Sequence, residues 1–126
     1  MRRLAIPCML IAGLAGCGGG DDEGETRSVT VNPNTTLRVS ATEYSFDPGA
    51  VVLRGAGPLT IRLRNDGDVA HDLKVRRDGD DVGGTEVIEG GESVSGRVNL
   101  EHGNYEMYCS VGDHEELGMT GSFEVR

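Results

Sequence analysis

Hydrophobic and polar residues alternate in short runs along most of the chain, from Ser28 to the C-terminus. The clearest run places Leu59, Ile61 and Leu63 between threonine and arginine residues. This period of two is typical of a β-strand with one buried face and one solvated face. Similar runs predict further strands at Ser28–Val31, Thr36–Ala41, Val51–Leu53, Asp72–Val75, Glu86–Ile88, Val94–Leu100, Tyr105–Cys109 and Gly121–Val125.

Turn-forming residues separate these runs. Asn65–Asp68 and Arg77–Asp80 are rich in Asn, Asp and Gly, which tolerate the backbone angles that turns require. Helical periodicity is not convincing anywhere, and Asp113–Leu117 is expected to form only one turn inside a loop. Thr42–Gly49 looks irregular, with Phe46 as its core residue. The whole pattern predicts an all-β domain, a Greek-key β-sandwich or barrel of about eight strands.

The N-terminal residues follow a different pattern. Arg2 and Arg3 precede the apolar run Leu4–Leu14, which is the layout of a secretory signal. The apolar run is too short to span a bilayer, which takes roughly 20 residues. Leu14-Ala15-Gly16-Cys17 resembles the bacterial lipobox, in which a peptidase cuts before the cysteine and that cysteine carries a lipid. The alternative is ordinary cleavage near Ala15, which would leave a soluble secreted protein.

These features divide the chain into three expected parts. Residues 1–16 are predicted to be a signal peptide, and residues 17–27, which are glycine-rich and acidic, a flexible tether lipidated at Cys17. Residues 28–126 have the length of one domain with a modest core. We therefore expect an exported protein of the cell envelope, anchored by lipid to the outer face of a membrane.

The charge of the chain limits its partners. The chain has 12 Lys and Arg residues, 21 Asp and Glu residues, and a formal net charge of −9. Loss of the signal peptide would remove Arg2 and Arg3 and make this charge −11. Such a balance disfavours nucleic-acid binding. It favours partners with basic surfaces, through an attraction that salt weakens.

The cysteines limit the redox chemistry. Of the three cysteines, Cys8 lies in the predicted signal peptide and Cys17 is the expected lipid site, so Cys109 is the single thiol of the domain. No disulfide can then form within the domain. A lone thiol in an oxidising compartment is open to oxidation unless it is buried or bound to a metal. Cysteine usage alone fits a buried inert thiol as well as a metal ligand.

A metal-binding pattern lies near the C-terminus. Cys109, His114 and Met119 are spaced five residues apart between two predicted strands. A loop that leaves a strand end can bring such a thiolate, imidazole and thioether to one point. A second imidazole must come from His71 or His102. His71 follows a turn and starts a predicted strand, which favours it, whereas His102 lies in a polar turn where an exposed histidine needs no special role.

Residues 28–126 resemble the cupredoxins, the small type 1 or blue copper proteins. The resemblance lies in three motifs: Phe46-Asp47-Pro48, Asn65-Asp66-Gly67 followed by His71-Asp72-Leu73, and Tyr108-Cys109-Ser110 followed by His114 and Gly118-Met119-Thr120-Gly121. It implies one bound copper ion with four ligands, namely His71, Cys109, His114 and the weak axial ligand Met119. It also implies a hydrogen bond between Asp72 and Ser110 that joins the two ligand-bearing segments.

Other positions near the ligands have structural interpretations or depart from the family. Tyr105 resembles a tyrosine corner. Met107 shares a strand face with Cys109 and is expected to fill the core rather than bind the metal. The ligand loop has Gly112-Asp113 where a Pro-Gly pair is common, and acidic residues surround His114. We therefore expect docking near this histidine to be more electrostatic than apolar.

The resemblance implies a one-electron carrier between redox partners, such as a cytochrome with a basic surface, and not an enzyme. Three alternatives stay open at this point. The same ligands suit copper trafficking or buffering. A catalytic site would have water in place of Met119. The third alternative is a metal-free β-sandwich that serves as a binding module.

Overall fold

A computed structural model describes residues 26–126, which form an all-β domain. The predicted signal peptide, Cys17 and most of the predicted tether lie outside the described residues. Residues 26–126 include no helical segment with the length and hydropathy that crossing a bilayer requires. The strands are β1 Ser28–Val31, β2 Thr36–Thr42, β3 Ser45–Asp47, β4 Ala50–Leu53, β5 Gly57–Asn65, β6 Lys74–Arg77, β7 Asp80–Gly84, β8 Ser93–Leu100, β9 Gly103–Tyr108 and β10 Thr120–Val125.

The ten strands belong to one sheet with the order β1-β4-β10-β9-β6-β7-β8-β5-β2-β3, which curls into a half-barrel. Three neighbouring pairs are parallel: β1 with β4, β4 with β10, and β2 with β5. The other pairs are antiparallel. This architecture confirms the predicted β-sandwich or barrel, with ten strands where about eight were expected.

The alternation of β5 shows how the sequence dictates the core. Leu59, Ile61 and Leu63 are fully buried, while the arginines between and after them are exposed. Burying one such side chain stabilises a fold by about 1.5–3 kcal/mol relative to leaving it in water. Strands β2 and β8 flank β5 and contribute to the same hydrophobic cluster through residues such as Val39 and Val98.

Three segments differ from the sequence-based prediction. Strand β3 lies inside Thr42–Gly49, which was expected to be irregular, and its Phe46 is buried as expected. Strand β7 was not predicted, since its glycines and exposed acids carry no alternation. The predicted strand Glu86–Ile88 forms only one bridge, between Ile88 and His71.

The predicted reversal at Arg77–Asp80 is a two-residue hairpin turn between β6 and β7. Its central residues, Asp78 and Gly79, have φ angles of 50° and 84°. Turns with two left-handed residues match the twist of the flanking strands, and Asp-Gly is a favoured pair for them. The turn chemistry read from the sequence is therefore confirmed.

Tyr105 forms the predicted tyrosine corner. Its hydroxyl oxygen accepts a hydrogen bond of 2.9 Å from the backbone N–H of Glu101, four residues upstream. The Arg77 guanidinium also donates to this hydroxyl at 3.2 Å. These bonds tie the turn before β9 to β6 and fix the start of the strand that leads to Cys109.

Candidate metal centre

His71 is held by backbone pairing at the entry to β6. Its N–H donates to the Ile88 carbonyl at 3.0 Å, and its carbonyl accepts from the Ile88 N–H at 2.9 Å. The His71 side chain is fully buried. This single bridge fixes the backbone position from which the imidazole enters the domain.

The second segment is the loop from Cys109 to Met119, which connects β9 and β10. The Cys109 N–H donates to the Met119 carbonyl at 3.2 Å, and the Met119 N–H donates to the His114 carbonyl at 3.1 Å. The predicted turn in Asp113–Leu117 is present, with the Leu117 N–H bonded to the Asp113 carbonyl at 3.1 Å. The loop is therefore closed by its own backbone at the three predicted ligand positions.

The structure brings His71, Cys109 and His114 together in the interior. The Cys109 Sγ lies 3.9 Å from His71 Nδ1 and 3.5 Å from His114 Nδ1. The three candidate ligand atoms lie within 4.8 Å of one another. One cysteine sulfur and two imidazoles in a small buried space form a donor set suited to a soft or borderline metal such as copper.

The other two candidates from the sequence lie as follows. Met119 is fully buried, in the same hydrophobic cluster as Cys109, and its backbone bonds to both Cys109 and His114. His102 is exposed in the turn between β8 and β9, and its carbonyl accepts a bond from Arg77. His71 rather than His102 is thus the second histidine beside the thiol, whereas Met107 fills the core.

Asp72 and Ser110 form the predicted tie between the two segments. The Ser110 backbone N–H donates to Asp72 Oδ1 at 2.7 Å, and the Ser110 hydroxyl donates to Asp72 Oδ2. Asp72 is fully buried, so its carboxylate depends on these donors. Because each residue directly follows a candidate ligand, the tie sets the separation of His71 and Cys109.

Burial raises the pKa of the Cys109 thiol. The backbone N–H groups of Asp72 and Val111 act in the opposite direction, while the Asp72 carboxylate raises this pKa further. A site of this kind holds a neutral thiol until a cation is present, because a bound cation favours the thiolate. The chemistry of the pocket therefore couples metal binding to release of the thiol proton.

Glu43 and Tyr44 belong to the site and were not singled out in the sequence. Glu43 Oε1 lies 3.1 Å from His71 Nε2, and hydrogen bonds from the N–H groups of Val69 and Asp68 lower the pKa of the Glu43 carboxyl. The Tyr44 ring lies 4.9 Å from the His114 ring and 6.3 Å from the His71 ring, centroid to centroid. The following Phe46-Asp47-Pro48 motif was the only signal near them.

The acidic surroundings of His114 are partly neutralised. Glu115 forms an ion pair with Arg76, which also bonds to Glu106 at 3.0 Å and stacks 4.1 Å from the centre of the Tyr108 ring. Asp113 and Glu116 are exposed and form no ion pair with residues 26–126.

Exposed apolar side chains occupy the same part of the molecule. Leu117 is 51% exposed in the ligand loop, and Val69 and Tyr44 are 40% and 37% exposed in the segments next to His71. The surface near the site therefore combines acidic and apolar groups.

Comparisons with known proteins agree with this architecture. An auracyanin from Roseiflexus castenholzii matches with a TM-score of 0.65 and 15% identity, over 75% of this chain and 98% of its own. Auracyanin A, a "blue" copper protein from Chloroflexus aurantiacus, matches with a TM-score of 0.63 and 18% identity, over 78% of this chain and 100% of its own.

An azurin from Methylomonas sp. strain J has a TM-score of 0.64 and 15% identity, with coverage of 74% of this chain and 98% of its own. No protein-family model and no curated protein matches the chain. The structural matches show that residues 26–126 adopt the cupredoxin fold.

Proposed function

We propose that this protein is a type 1 copper protein that carries one electron at a time between redox partners. The observation that carries the proposal is the buried triangle of His71, Cys109 and His114 in a cupredoxin fold. Two imidazoles and one thiolate, with Met119 as a weak axial ligand, suit both oxidation states of copper. A copper ion held by this set would supply a one-electron couple.

The chain's own residues provide a rigid and dry environment. Bonds between Asp72 and Ser110 hold the two ligand segments at a fixed separation, and the backbone closes the loop from Cys109 to Met119. A site that moves little on a change of charge needs little reorganisation for electron transfer. Four protein ligands would leave no obvious open position for a substrate, which argues for a carrier rather than an enzyme.

His114 is the candidate ligand that a partner can approach. It is 8% exposed, whereas His71 and Met119 are 0% exposed and Cys109 is 1% exposed. Its ring contacts the partly exposed Tyr44 ring, and its loop carries the exposed Leu117. We infer that redox partners dock over this edge, and that exposed acids such as Glu116 favour partners with basic surfaces, such as a cytochrome.

We infer that the protein acts outside the cytoplasm. The support is the N-terminal sequence, in which a basic start and an apolar run precede a lipobox-like Cys17. Lipid on Cys17 would hold the domain at the outer face of a membrane. Labelling of cells with radioactive palmitate tests this anchor, and an unlabelled protein that retains residues 1–16 would contradict it.

The absorption spectrum of the purified, copper-loaded protein tests the main proposal. We expect an intense visible band in the oxidised protein, stoichiometric with one copper, that disappears on reduction and returns on reoxidation. Colourless Cu(I) binding with rapid release to a chelator would instead favour copper trafficking. A protein that binds no copper would favour the metal-free binding module.

A further inference from the structure

We propose that Glu43 is a positioning residue for the metal centre, which fixes the tautomer and orientation of His71 and lowers the reduction potential of the bound metal through its charge. This inference rests on the proposed copper function and deepens it. Glu43 lies just after β2, 28 residues before His71 in the chain, and no ligand motif includes it.

Three hydrogen-bond donors converge on one oxygen of Glu43. The backbone N–H groups of Asp68 and Val69 donate to Oε1 at 2.8 Å and 3.0 Å, and His71 Nε2 lies 3.1 Å from the same atom. The Glu43 side chain is 30% exposed and the His71 side chain is fully buried. The carboxylate therefore joins the loop before His71 to the edge of the imidazole remote from Cys109.

The surrounding loop is built to receive this carboxylate. Asn65 Oδ1 accepts from the Gly67 N–H at 2.9 Å, and Asn65 Nδ2 donates to the Val69 carbonyl at 2.8 Å. These bonds hold the loop in the shape that directs two N–H groups at Glu43. Gly67 packs so closely against the carboxylate that a Cβ at this position would overlap it.

The contact determines which nitrogen of His71 is free. A carboxylate accepts hydrogen bonds only, so His71 Nε2 must carry the proton that it shares with Glu43. In the neutral imidazole, Nδ1 is then the unprotonated nitrogen, and it is the one that lies 3.9 Å from the Cys109 Sγ. Carboxylates that accept from the second nitrogen of a metal-bound histidine fix its ring and raise its basicity.

The charge of Glu43 also distinguishes the two oxidation states. A negative charge beside a ligand stabilises the more positive metal ion, so Glu43 favours Cu(II) over Cu(I). Glu43→Gln keeps the side-chain length and an acceptor oxygen but removes the charge. We expect this substitution to lower the ratio of Cu(II) to Cu(I) affinity about tenfold, which for one electron raises the reduction potential by about 59 mV.

The experiment compares the reduction potentials of the wild-type protein, Glu43→Gln, Glu43→Ala and the control Glu116→Gln. Glu116→Gln removes the same charge from the ligand loop without a contact to His71. We expect Glu43→Gln to raise the potential by several times the change in the control. Equal shifts in these two variants would overturn the electrostatic part of the proposal.

Nitrogen NMR of the metal-free protein tests the positioning part without copper. We expect His71 to be protonated at Nε2 in the wild type and in Glu43→Gln, and to become a mixture of tautomers in Glu43→Ala. An unchanged tautomer in Glu43→Ala would overturn the positioning role. If the wild type forms no coloured copper site, the proposed function and the potential shift fail together, while this measurement still decides what Glu43 does to His71.

Discussion

Ser110 donates two hydrogen bonds to the carboxylate of Asp72, although the two residues lie 38 positions apart in the chain. Asp72 directly follows His71 and Ser110 directly follows Cys109. The pair therefore links the only two described segments that contribute to the His71, Cys109 and His114 cluster. The contribution of this pair to stability can be measured in the metal-free protein.

We expect Asp72→Ala to destabilise the metal-free protein more than Ser110→Ala. Removal of Asp72 breaks both bonds from Ser110, and each hydrogen bond to a charged group contributes roughly 1.5–3 kcal/mol. Ser110→Ala loses only the hydroxyl bond, at roughly the cost of one such bond, and keeps the backbone bond. Urea unfolding of the two variants measures the difference. Equal losses would show that the backbone bond contributes nothing.

We expect Cys109→Ser to abolish the visible absorption of the copper-loaded protein and to leave the fold intact. The thiolate is the donor responsible for intense colour at a type 1 site, and serine is nearly the same size as cysteine. Absorption spectroscopy measures the colour, and far-ultraviolet circular dichroism of the metal-free variant measures the fold. A variant that stays blue would show that Cys109 is not a ligand of the copper.

Met119→Ala and Met107→Ala form a matched pair, because both methionines are fully buried. Each substitution leaves a cavity in the core and should cost about 2–5 kcal/mol of stability. We expect only Met119→Ala to change the visible spectrum and the reduction potential, since Met107 fills the core. Spectra and chemical denaturation of both variants test this. A normal spectrum in Met119→Ala would exclude it as the axial ligand.

Tyr108 gives the fold a pH dependence in the alkaline range. Its hydroxyl donates to Asp81 at 2.6 Å, and this bond together with burial raises its pKa from 10.0 to about 12. The protonated form is favoured by folding, so this stabilisation is complete below pH 10 and is lost as the pH rises through about 12.

Ultraviolet titration of the tyrosines tests the assignment. We expect Tyr108→Phe to remove the component that ionises near pH 12, and Asp81→Asn to move that component toward the ordinary tyrosine value. The Asp81→Asn variant should also lose less stability than the wild type between pH 10 and pH 12. Titration curves that coincide in the wild type and Tyr108→Phe above pH 11 would be inconsistent with the raised pKa.

Association with a basic redox partner should depend on acids near His114. We expect Glu116→Gln to slow electron transfer from a basic cytochrome at low ionic strength, with the difference shrinking as salt is added. Glu101→Gln is the matched control, because Glu101 is exposed like Glu116 and lies in the turn between β8 and β9, at the opposite end of β9 from the ligand loop. Stopped-flow rates over a salt series measure the effect. Equal slowing in both variants would indicate a response to net charge alone.

The sequence predicted most of the fold because buried faces leave a period of two. Leu59, Ile61 and Leu63 are the clearest case, and all three are fully buried in the structure. Strand β7 escaped detection because Asp80–Gly84 has no buried apolar face: its first three residues are exposed and the last two are glycines. Its partner strand approaches so closely that a Cβ on Gly83 would overlap Val98, which explains the glycine.

The candidate site was predictable where its residues follow one another closely. Cys109, His114 and Met119 share one loop, so their spacing carries the information. Glu43 reaches His71 from 28 residues away, and one glutamate in an irregular segment of an acidic chain has no distinguishing signal. The ion pair between Arg76 and Glu115 could not be predicted for the same reason, since it depends on how β6 packs against the distant ligand loop.

The backbone bond between Cys109 and Met119 places the two ends of the ligand loop on adjacent strands, where Tyr108 pairs with Thr120. The backbone hydrogen bonds of the residues between these ends run mostly within the loop, while the side chains of Ser110, His114 and Glu115 contact other parts of the domain. We therefore expect that this loop can be replaced as a unit. Loops of other lengths, grafted between the same two strand ends with Ser110 retained, should keep the strands and change the spacing of the candidate ligands.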